Sequence, residues 1–371
     1  MQTSRPELHV VTFAVPYPAN YGGAIDVWNR IVALKRAGVR IHLHCFVYGV
    51  FLPQPMLEEY VEKVYYYPRV KWPALFLPGQ PYIVTSRKSK ELLKNLYVDR
   101  SPVLFEGIHS TGFVRELKDR KLLLRAHNIE HQYYAELANQ CKGVKSLIFR
   151  RESLCLRDYE RALAGRFDMV FAISPPDTTW YIAHGAKTVC LPPFHGYDEV
   201  NILIGRGDYL LYQGDLSIQI NQEGLFDLLG KIPYDQSYPI VAAGRSGDKT
   251  FEEKLSRFPN LRREADVTQE KMIDLIRNAQ LILVHGLHGS GMKLKIFPAL
   301  YHGRFVAATA NSRTNTSLDK ALLFYEPDEV VTIIKAHWAQ AFSVDMVKER
   351  VAVLSQQMPD DEKAGEILRY L

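Results

Sequence analysis

Cysteine is scarce in this chain, and its positions fit neither a disulfide framework nor a zinc site. The four cysteines are Cys45, Cys141, Cys155 and Cys190, without any Cys-x-x-Cys pair. Disulfide frameworks and zinc sites both need several cysteines at close spacing. The scattered thiols therefore indicate a reducing cytoplasm.

Long hydrophobic runs and a signal peptide are also absent. Cys45 to Leu52, the longest apolar stretch near the N-terminus, is much shorter than the roughly 20 residues that a helix needs to cross a bilayer. Met1 to Pro18 lacks the charged lead and the long apolar core of a signal peptide. We predict that the chain is not secreted and does not span a membrane.

The charge balance argues against a nucleic-acid binder. The formal net charge is only +5, and no block of basic residues would form a dense positive surface. This mild basic excess fits phosphorylated ligands or an acidic membrane surface better. Because 47% of the residues are hydrophobic and no segment is of low complexity, the whole chain is predicted to fold.

Two catalytic signatures are missing as well. No Gly-x-Gly-x-x-Gly with an acidic residue about 20 positions later opens either half, which disfavours a Rossmann oxidoreductase. No Gly-x-Ser-x-Gly elbow is present, and His288 and Ser290 are too close in sequence to represent a hydrolase triad.

What the chain does contain is an alternation of short apolar runs with helix-like segments. The strands predicted in its first half are Leu8–Val15, Val39–Val47, Val103–Phe105, Leu122–Leu124 and Met169–Ile173. Between the first two, Val27, Ile31 and Leu34 share one face of a predicted helix that ends at Gly38. This order predicts a right-handed βαβ unit in a parallel sheet.

A second cycle of strands follows a proline-rich and glycine-rich break at residues 191–208, which we interpret as an interdomain linker. Its predicted strands are Tyr209–Gln213, Ile240–Ala243, Leu281–Val284 and Phe305–Ala308. We predict an α/β protein of two Rossmann-like doubly wound domains, residues 1–195 and 196–355, with a closing helix in residues 356–371. Ligands are expected beyond the carboxyl ends of the strands, in a cleft between the domains.

The strongest candidate for a ligand site is a glycine-rich stretch, residues 285–295, between a predicted strand and a predicted helix. Gly289 and Gly291 let backbone N–H groups approach an anion, and Lys293 adds a full positive charge. A P-loop is disfavoured because the lysine does not directly follow the glycine and no Ser or Thr comes next. The stretch is predicted to bind phosphate, and a plain glycine turn with solvated lysines stays open as the alternative.

Two weaker glycine loops indicate the same chemistry, one in each half. Gly22 and Gly23 follow the first predicted strand, and Gly244 and Arg245 follow a strand of the second half. Either loop could be only a turn, because glycine is common in turns for steric reasons. Their presence in both halves favours a shared cleft.

Two histidines lie where predicted strands of the first half end. His109 follows Glu106 closely, and His127 precedes Glu130. A neutral imidazole there can exchange a proton or orient a sugar hydroxyl, and either glutamate can fix its tautomer. A purely structural role stays open for both histidines.

Residues 143–165 are predicted to form an amphipathic helix. Its predicted apolar face contains Ile148, Cys155, Tyr159 and Ala162, and Leu147, Phe149, Leu154 and Leu156 widen the apolar surface. The helix either packs against its own domain or also contacts a membrane surface. The expected location is the cytoplasm, with peripheral contact at the inner membrane face as a second hypothesis.

At these residues the sequence resembles the GT-B glycosyltransferases, specifically the retaining family 4-like enzymes that build bacterial surface polysaccharides. Pro16-Tyr17-Pro18-Ala19-Asn20-Tyr21-Gly22-Gly23 is similar to the N-terminal glycine loop of that family, and His127-Asn128-Ile129-Glu130 is similar to its histidine-bearing strand end. Gly289-Ser290-Gly291-Met292-Lys293-Leu294-Lys295 is similar to its donor diphosphate loop. The resemblance runs through most of the chain.

The resemblance implies transfer of a sugar from a UDP- or GDP-linked donor to a saccharide or lipid-linked acceptor, with retention and without a metal or further cofactor. The absence of any Asp-x-Asp sequence agrees with this. The groups then expected to hold the departing diphosphate are Lys293, Arg245 and the loops of Gly22, Gly23, Gly244, Gly289, Ser290 and Gly291. The catalytic residues then expected are His127, as the contact to the donor sugar, with His109 and Glu106.

The sequence departs from this family at two places. The glutamates that relatives use near the nucleotide ribose fall on Ser290 and Pro298, and Pro298 requires a helix that starts near Lys295. Residues 214–217 and Asn221 lack the Arg and Lys that many relatives direct at the diphosphate. A non-catalytic nucleotide-sugar or carbohydrate-binding protein and a GT-B nucleotide-sugar epimerase therefore stay open as alternatives.

Overall fold

The computed structural model describes residues 5–19, 21–70, 78–233, 238–287 and 293–371. The chain divides into two compact units. The first comprises Met1–Ala19, Gly23–Phe194 and Pro359–Leu371, and the second comprises Asn20–Gly22 and His195–Met358. Each unit is built on one parallel β-sheet with helices, so the predicted α/β fold class is confirmed.

The first unit contains a seven-stranded sheet. Its strands are β1 (Glu7–Val11), β2 (Arg40–Val47), β3 (Lys63–Pro68), β4 (Val103–Glu106), β5 (Leu122–Ala126), β6 (Met169–Ala172) and β7 (Thr188–Cys190). Their spatial order is β3-β2-β1-β4-β5-β6-β7, with parallel pairing. The helices are α1 (Gly22–Arg36), α2 (Tyr82–Thr85), α3 (Lys90–Leu96), α4 (Glu130–Gln140), α5 (Gly143–Leu163) and α6 (Pro175–Ala183).

The second unit contains a six-stranded sheet. Its strands are β8 (Leu210–Gln213), β9 (Ile240–Gly244), β10 (Leu261–Ala265), β11 (Leu281–Val284), β12 (Phe305–Thr309) and β13 (Leu323–Tyr325). Their order is β10-β9-β8-β11-β12-β13, again with parallel pairing. The helices are α7 (Gln219–Lys231), α8 (Lys249–Leu255), α9 (Gln269–Asn278), α10 (Ile296–His302), α11 (Val330–Trp338) and α12 (Val344–Leu354).

The strand order reverses beside the first strand of each sheet, where β1 meets β4 and β8 meets β11. Ligands of open parallel sheets bind beyond the carboxyl ends of the strands at such reversal points. The ends of β4, β5, β8, β9 and β11 are therefore the places where each unit is expected to hold its functional groups.

The last helix, α13 (Asp360–Leu368), belongs to the first unit. The buried Lys363 ammonium donates hydrogen bonds to the Pro193 carbonyl oxygen at 2.7 Å and to Asp360 Oδ1 at 2.8 Å. Because Pro193 is also part of the first unit, these contacts attach the C-terminal helix to the body of that unit.

All nine strands predicted from apolar runs are present, with small differences in their bounds. Strand β1 ends at Val11 and not at Val15, because the Thr12 hydroxyl donates to the Ala14 carbonyl oxygen at 2.6 Å and turns the chain. The prediction missed β3, β7, β10 and β13, which lie at the four edges of the two sheets.

Helix α1 packs as its sequence pattern predicts. Val27, Ile31 and Leu34 are buried, and Gly38 adopts a φ of 86° just beyond the helix end. A side chain at Gly38 would strain this left-handed backbone, so glycine is the natural residue for the stop.

Helix α5 buries a different face from the predicted one. Its buried residues are Glu152, Leu156, Glu160 and Leu163. Ile148 of the predicted apolar face is instead 46% exposed. The reason is that Glu152 and Glu160 accept hydrogen bonds from the first backbone N–H groups of α2 and α4, so two carboxylates face the unit. No helix among the described residues is long and apolar enough to cross a membrane.

Candidate functional site

The first group of candidate residues lies at the carboxyl edge of the first sheet. Glu106 is the last residue of β4, and His127 directly follows β5. Because these strands are neighbours and Glu106 pairs with Arg125 in register, the carboxylate and the imidazole come from adjacent positions of the sheet. Gly22 and Gly23 are the first residues of α1, which carries Asp26 and Arg30 on its buried face.

A buried ion network underlies this edge. Asp26 accepts hydrogen bonds from Arg30 Nη1 at 2.8 Å and from Arg125 Nε and Nη2 at 3.0 Å each. Arg30 also donates to both carboxylate oxygens of Glu106. The four side chains are at most 1% exposed, so two carboxylates and two guanidinium groups neutralise one another away from water.

The pKa values of the two carboxyl groups follow from this pairing. Burial alone would raise the pKa of Asp26, but Arg125 and Arg30 outweigh it and hold that pKa well below its ordinary range. Burial alone would also raise the pKa of Glu106, but the nearby Arg30 outweighs this effect, so the pKa of Glu106 is lowered. Both groups are therefore charged at neutral pH.

His127 is fixed by this network. Its Nε2 lies 3.0 Å from Glu106 Oε2, and its Nδ1 lies 3.6 Å from Asp26 Oδ2. The ring also contacts Phe13 edge-on, with 5.6 Å between the centroids. Both ring nitrogens thus face carboxylates, and the contact with Glu106 restricts the ring orientation.

The same three side chains have the composition of a metal site. Ligand atoms of Asp26, Glu106 and His127 lie within 4.8 Å of one another. The carboxylate oxygens, however, already accept hydrogen bonds from Arg30 and Arg125, and two guanidinium charges beside them oppose a cation. The arrangement fits an ion-paired support for His127 better than a metal cage.

His109 has a different environment. It lies in the short 3₁₀ turn Ile108–Ser110 after β4, and neither of its ring nitrogens makes a hydrogen bond to the part of the chain that the structure describes. Its Nε2 is 3.9 Å from Glu130 Oε2. Burial and the nearby Arg87 hold the pKa of His109 well below its ordinary value, so this imidazole is neutral at pH 7.

Gly107 makes room for His109. Its φ is 68°, and a Cβ placed there would come within 3.0 Å of His109 Nδ1 and 3.7 Å of the His127 ring. A larger residue would be strained in its backbone and would press on both histidines. The glycine therefore sets the spacing between the two candidate rings.

Glu130, the first residue of α4, completes this corner of the first unit. Burial and the neighbouring Glu160 raise the pKa of Glu130 to about 8. Glu160 itself accepts hydrogen bonds from the backbone N–H groups of Glu130 and His131, at 2.8 and 3.0 Å. Glu130 is consequently protonated at neutral pH and able to act as a hydrogen-bond donor, whereas Glu106 is an acceptor only.

The second group of candidate residues lies at the carboxyl edge of the second sheet. Gly244 ends β9 with a φ of 133°, and a Cβ there would lie 1.9 Å from the Gly214 carbonyl oxygen. Only glycine allows this contact between the turns after β8 and β9. It places Arg245 beside the β8 turn, with Nη1 3.6 Å from Asp215 Oδ2.

The turn after β11 is anchored by His285. Its Nε2 lies 2.7 Å from Asp227 Oδ2, and its Nδ1 lies 2.9 Å from the Tyr325 hydroxyl. The next residue, Gly286, exchanges two hydrogen bonds with the Thr309 hydroxyl. The start of the predicted phosphate loop is thus fixed to α7, β12 and β13.

Part of the predicted phosphate loop lies outside the described residues, namely Gly289, Ser290 and Gly291. Lys293 is described and is partly exposed, three residues before α10 begins at Ile296. Pro298 lies in the first turn of α10, where its missing N–H group costs no helical hydrogen bond. The helix thus starts where the sequence required it to start.

Sequence reasoning missed Asp26, Arg30 and Arg125. A signal for them was present: Arg125 interrupts the apolar strand Leu122–Ala126, and Asp26 and Arg30 are spaced i, i+4 beside the apolar face of α1. Charged residues on buried faces are rare unless they are paired. Unpaired-looking charges of opposite sign within apolar segments therefore indicate a buried ion network.

Several solved structures are similar to this chain over its whole length. A sucrose-phosphate synthase from Thermosynechococcus elongatus has a TM-score of 0.69 at 14% identity, covering 98% of both chains. A protein from Anabaena, solved in complex with UDP and glucose, has a TM-score of 0.64 at 15% identity, covering 98% of this chain and 100% of that one. The chain has the GT-B fold. The predicted two-domain architecture is thereby confirmed.

The similarity found by sequence covers a smaller part of the chain than the structural similarity does. An uncharacterised 44.6 kDa protein in the cps region of Klebsiella pneumoniae is 24% identical over 328 residues, which cover 81% of this chain and 82% of that protein. No family model matches the chain. The similar solved structures establish the fold alone.

Proposed function

We propose that this protein is a glycosyltransferase that moves a sugar from a nucleoside-diphosphate-sugar to a saccharide or lipid-linked acceptor. The observation that carries the proposal is His127, held by a buried ion network at the carboxyl edge of the first sheet of a GT-B fold, with the neutral His109 nearby at the same edge. We assign the acceptor side to the first unit and the nucleotide to the second. The complex of the Anabaena protein with UDP and glucose supports a UDP-linked donor.

In the proposed reaction the acceptor hydroxyl oxygen forms a bond to the sugar as the bond between the sugar and the diphosphate breaks. The nucleoside diphosphate leaves, and the hydroxyl proton passes to the neutral His109 or to the diphosphate. Arg245 and Lys293 stabilise the negative charge that develops on the diphosphate, and backbone N–H groups at Gly22 and Gly23 are proposed to assist them. His127 orients the donor sugar. The neutral His109 is placed to exchange a proton or hydrogen bond with a hydroxyl.

We further propose that the transfer retains configuration and proceeds without a metal. Two observations support this. The chain has no Asp-x-Asp sequence, and the buried carboxylates of the first unit are already paired with arginines. The relative in the cps region of Klebsiella pneumoniae supports an acceptor used in surface polysaccharide assembly.

Donor binding is the minimum requirement of this function. We expect at least one ligand from a panel of UDP, GDP and their sugar conjugates to raise the melting temperature. A ligand at about 100 times its Kd stabilises the folded state by about 2.7 kcal/mol. Lys293→Ala should reduce the shift. Lys249→Ala, which removes a lysine that is 91% exposed on α8, should leave it unchanged. A flat response across the whole panel would argue against the proposal.

The two alternatives predict different products from a bound donor. A binding protein releases no sugar from the nucleotide, and an epimerase interconverts sugars without an acceptor. Pro298, in the position where relatives carry a glutamate, is the observation that favours the binding protein. Chromatography of donor and product, with and without candidate acceptors, distinguishes the three activities.

Helix α5 supports a proposal about location. Val144, Leu147 and Leu154 form an apolar stripe that is 72%, 66% and 55% exposed, with the basic side chains of Arg150 and Arg151 near it on the helix. An apolar stripe flanked by basic residues fits a surface of acidic lipids. We propose that this stripe contacts such a membrane peripherally.

Vesicle sedimentation tests this contact. We expect binding to vesicles that contain phosphatidylglycerol, weaker binding to phosphatidylcholine alone, and a marked loss with Leu147→Asp. Ile182→Asp serves as the control, because Ile182 is also 57% exposed but lies on α6. Equal effects of the two substitutions, or no preference for acidic vesicles, would contradict the proposal.

A further inference from the structure

Two arginines lie near His109 at the carboxyl edge of the first sheet. Arg69 directly follows β3, and Arg87 lies just after α2. Arg87 Nε donates a hydrogen bond to the Phe13 carbonyl oxygen at 2.8 Å, and the centroid of the Phe13 ring is 5.3 Å from that of His109. Burial lowers the pKa of His109 most, and both Arg87 and Arg69 lower it further. The two guanidinium groups are therefore close enough to influence the ring that is proposed to act on the acceptor.

Arg87 is the fixed member of this pair. It is only 4% exposed, and besides its bond to Phe13 it donates to the Ile83 carbonyl oxygen at 2.7 Å and to the Tyr48 hydroxyl at 3.2 Å. None of these three acceptors is a carboxylate. Burial and the neighbouring Arg69 lower the pKa of Arg87, as expected for a desolvated cation beside a second one. Its acceptors thus hold the guanidinium group in place without neutralising its charge.

Arg69 is only partly buried and keeps hydrogen-bond donors for a ligand. Its Nε donates to the Ser86 hydroxyl at 3.0 Å, whereas its Nη1 and Nη2 make no hydrogen bond to the described residues. The guanidinium carbon lies over the rings of Tyr48 and Tyr82, 4.8 and 5.1 Å from their centres, and these contacts restrict its position. A guanidinium group held in this way offers a fixed fork of N–H donors, which matches the oxygens of a carboxylate or a phosphate.

No carboxylate forms an ion pair with either arginine in the part of the chain that the structure describes. Glu152 interacts with Arg69 only at longer range, and its oxygens already accept hydrogen bonds from the first N–H groups of α2. Glu130 interacts with Arg87, but with a pKa of about 8 it is protonated at neutral pH and carries no charge. Two neighbouring cations without a paired anion are stabilised by an external anion that supplies charge and acceptors.

We propose that Arg69 binds an oxyanion of the acceptor, a phosphate or a carboxylate, and that Arg87 strengthens the positive potential at this place. This inference rests on the proposed function and names the chemical class of the acceptor. Arg69 is then a residue that determines acceptor specificity, because a neutral sugar lacks the charged contact. The oxyanion and the hydroxyl that His109 serves belong to the same acceptor molecule, so the contact with Arg69 also positions that hydroxyl.

Calorimetric titration of glucose 1-phosphate, glucuronate and glucose tests the inference. We expect at least one of the two charged sugars to bind wild type about 10-fold or more tightly than glucose does, which is the range for a hydrogen bond to a charged group. The better of the two identifies the oxyanion as phosphate or carboxylate. Arg69→Gln should abolish the preference. Arg262→Gln is the matched control and should leave it unchanged, because Arg262 also lies over a tyrosine ring, 5.2 Å from the centre of Tyr209, but near the amino end of β10.

The outcomes separate this inference from the proposed function, which the nucleotide panel tests independently. If nucleotides stabilise the protein but neither charged sugar is preferred to glucose, the inference is wrong and the glycosyltransferase proposal stands. The same holds if Arg69→Gln keeps the preference and Lys293→Ala removes it, because the charged sugar then binds at the loop after β11. If Arg69→Gln does not fold, Arg69→Lys, which keeps the charge and loses the fork of donors, must weaken binding of the charged sugar, and an unchanged affinity overturns the inference.

Discussion

Replacement of Asp26 by asparagine is expected to lower the free energy of unfolding by about 3–5 kcal/mol, the usual cost of removing one partner of a buried ion pair. Asparagine keeps the size of the side chain and can still accept the hydrogen bond from the Phe194 N–H group, which is 2.7 Å from Asp26 Oδ1. What it removes is the negative charge that Arg30 and Arg125 share. Urea unfolding followed by circular dichroism measures the loss.

A matched control is available in an exposed ion pair that also involves α1. Asp361 pairs with Arg36 of α1 at 3.0 Å, but the two side chains are 67% and 46% exposed. Asp361→Asn is therefore expected to cost at most about 1 kcal/mol, as exposed ion pairs do. Equal losses for the two substitutions would show that the Asp26 network contributes no more than a surface pair.

The same network makes the stability dependent on pH in a defined direction. The pKa values of Asp26 and Glu106 are lower in the folded protein than in the unfolded chain, so the unfolded chain takes up protons first as the pH falls. Their contribution is complete above the ordinary carboxyl pKa and is lost on acidification. The difference between wild type and Asp26→Asn is thus expected to shrink below about pH 4, where the unfolded carboxyl group takes up its proton. A constant difference down to pH 3 would contradict this account.

The central strands could be predicted from sequence, and the edge strands could not. A central strand such as β11, Leu281–Val284, is bonded on both sides and buried, so its residues form a continuous apolar run. The edge strand β10, Leu261–Ala265, contains two arginines and a glutamate and has a neighbour on one side only. Its pairing depends on the β9 strand beside it, which no local pattern records.

The candidate site divides in a similar way. His109, His127 and Glu106 could be proposed because polar residues at strand ends are a local signal. The partnership of Asp26 with Arg125, across 99 positions, depends on where α1 crosses the sheet. The same holds for Lys295 and Gly214, whose proximity arises only when α10 and the β8 turn are folded together. The sequence therefore indicates which strand ends carry functional side chains, but it does not indicate which charged residues pair with each other there.

His109→Phe is expected to lower the rate of sugar transfer by about 100-fold or more, the usual contribution of a positioned proton-exchanging side chain. Phenylalanine preserves the ring contact with Phe13, whose centroid lies 5.3 Å away. Since neither nitrogen of His109 bonds to the described chain, the substitution should leave the melting temperature and nucleotide binding nearly unchanged. Release of sugar from the donor, with and without acceptors, measures the effect.

His127→Phe is the comparison that distinguishes the roles of the two histidines. It removes the hydrogen bond to Glu106 Oε2 and leaves that buried carboxylate with one partner fewer, so it should lower stability as well as transfer. If His109→Phe transfers sugar at the wild-type rate and the loss is confined to His127→Phe, the proton-exchanging role assigned to His109 is wrong. A rate loss without a stability loss, at His109 alone, is the result that distinguishes a group acting on the substrate from one that supports the fold.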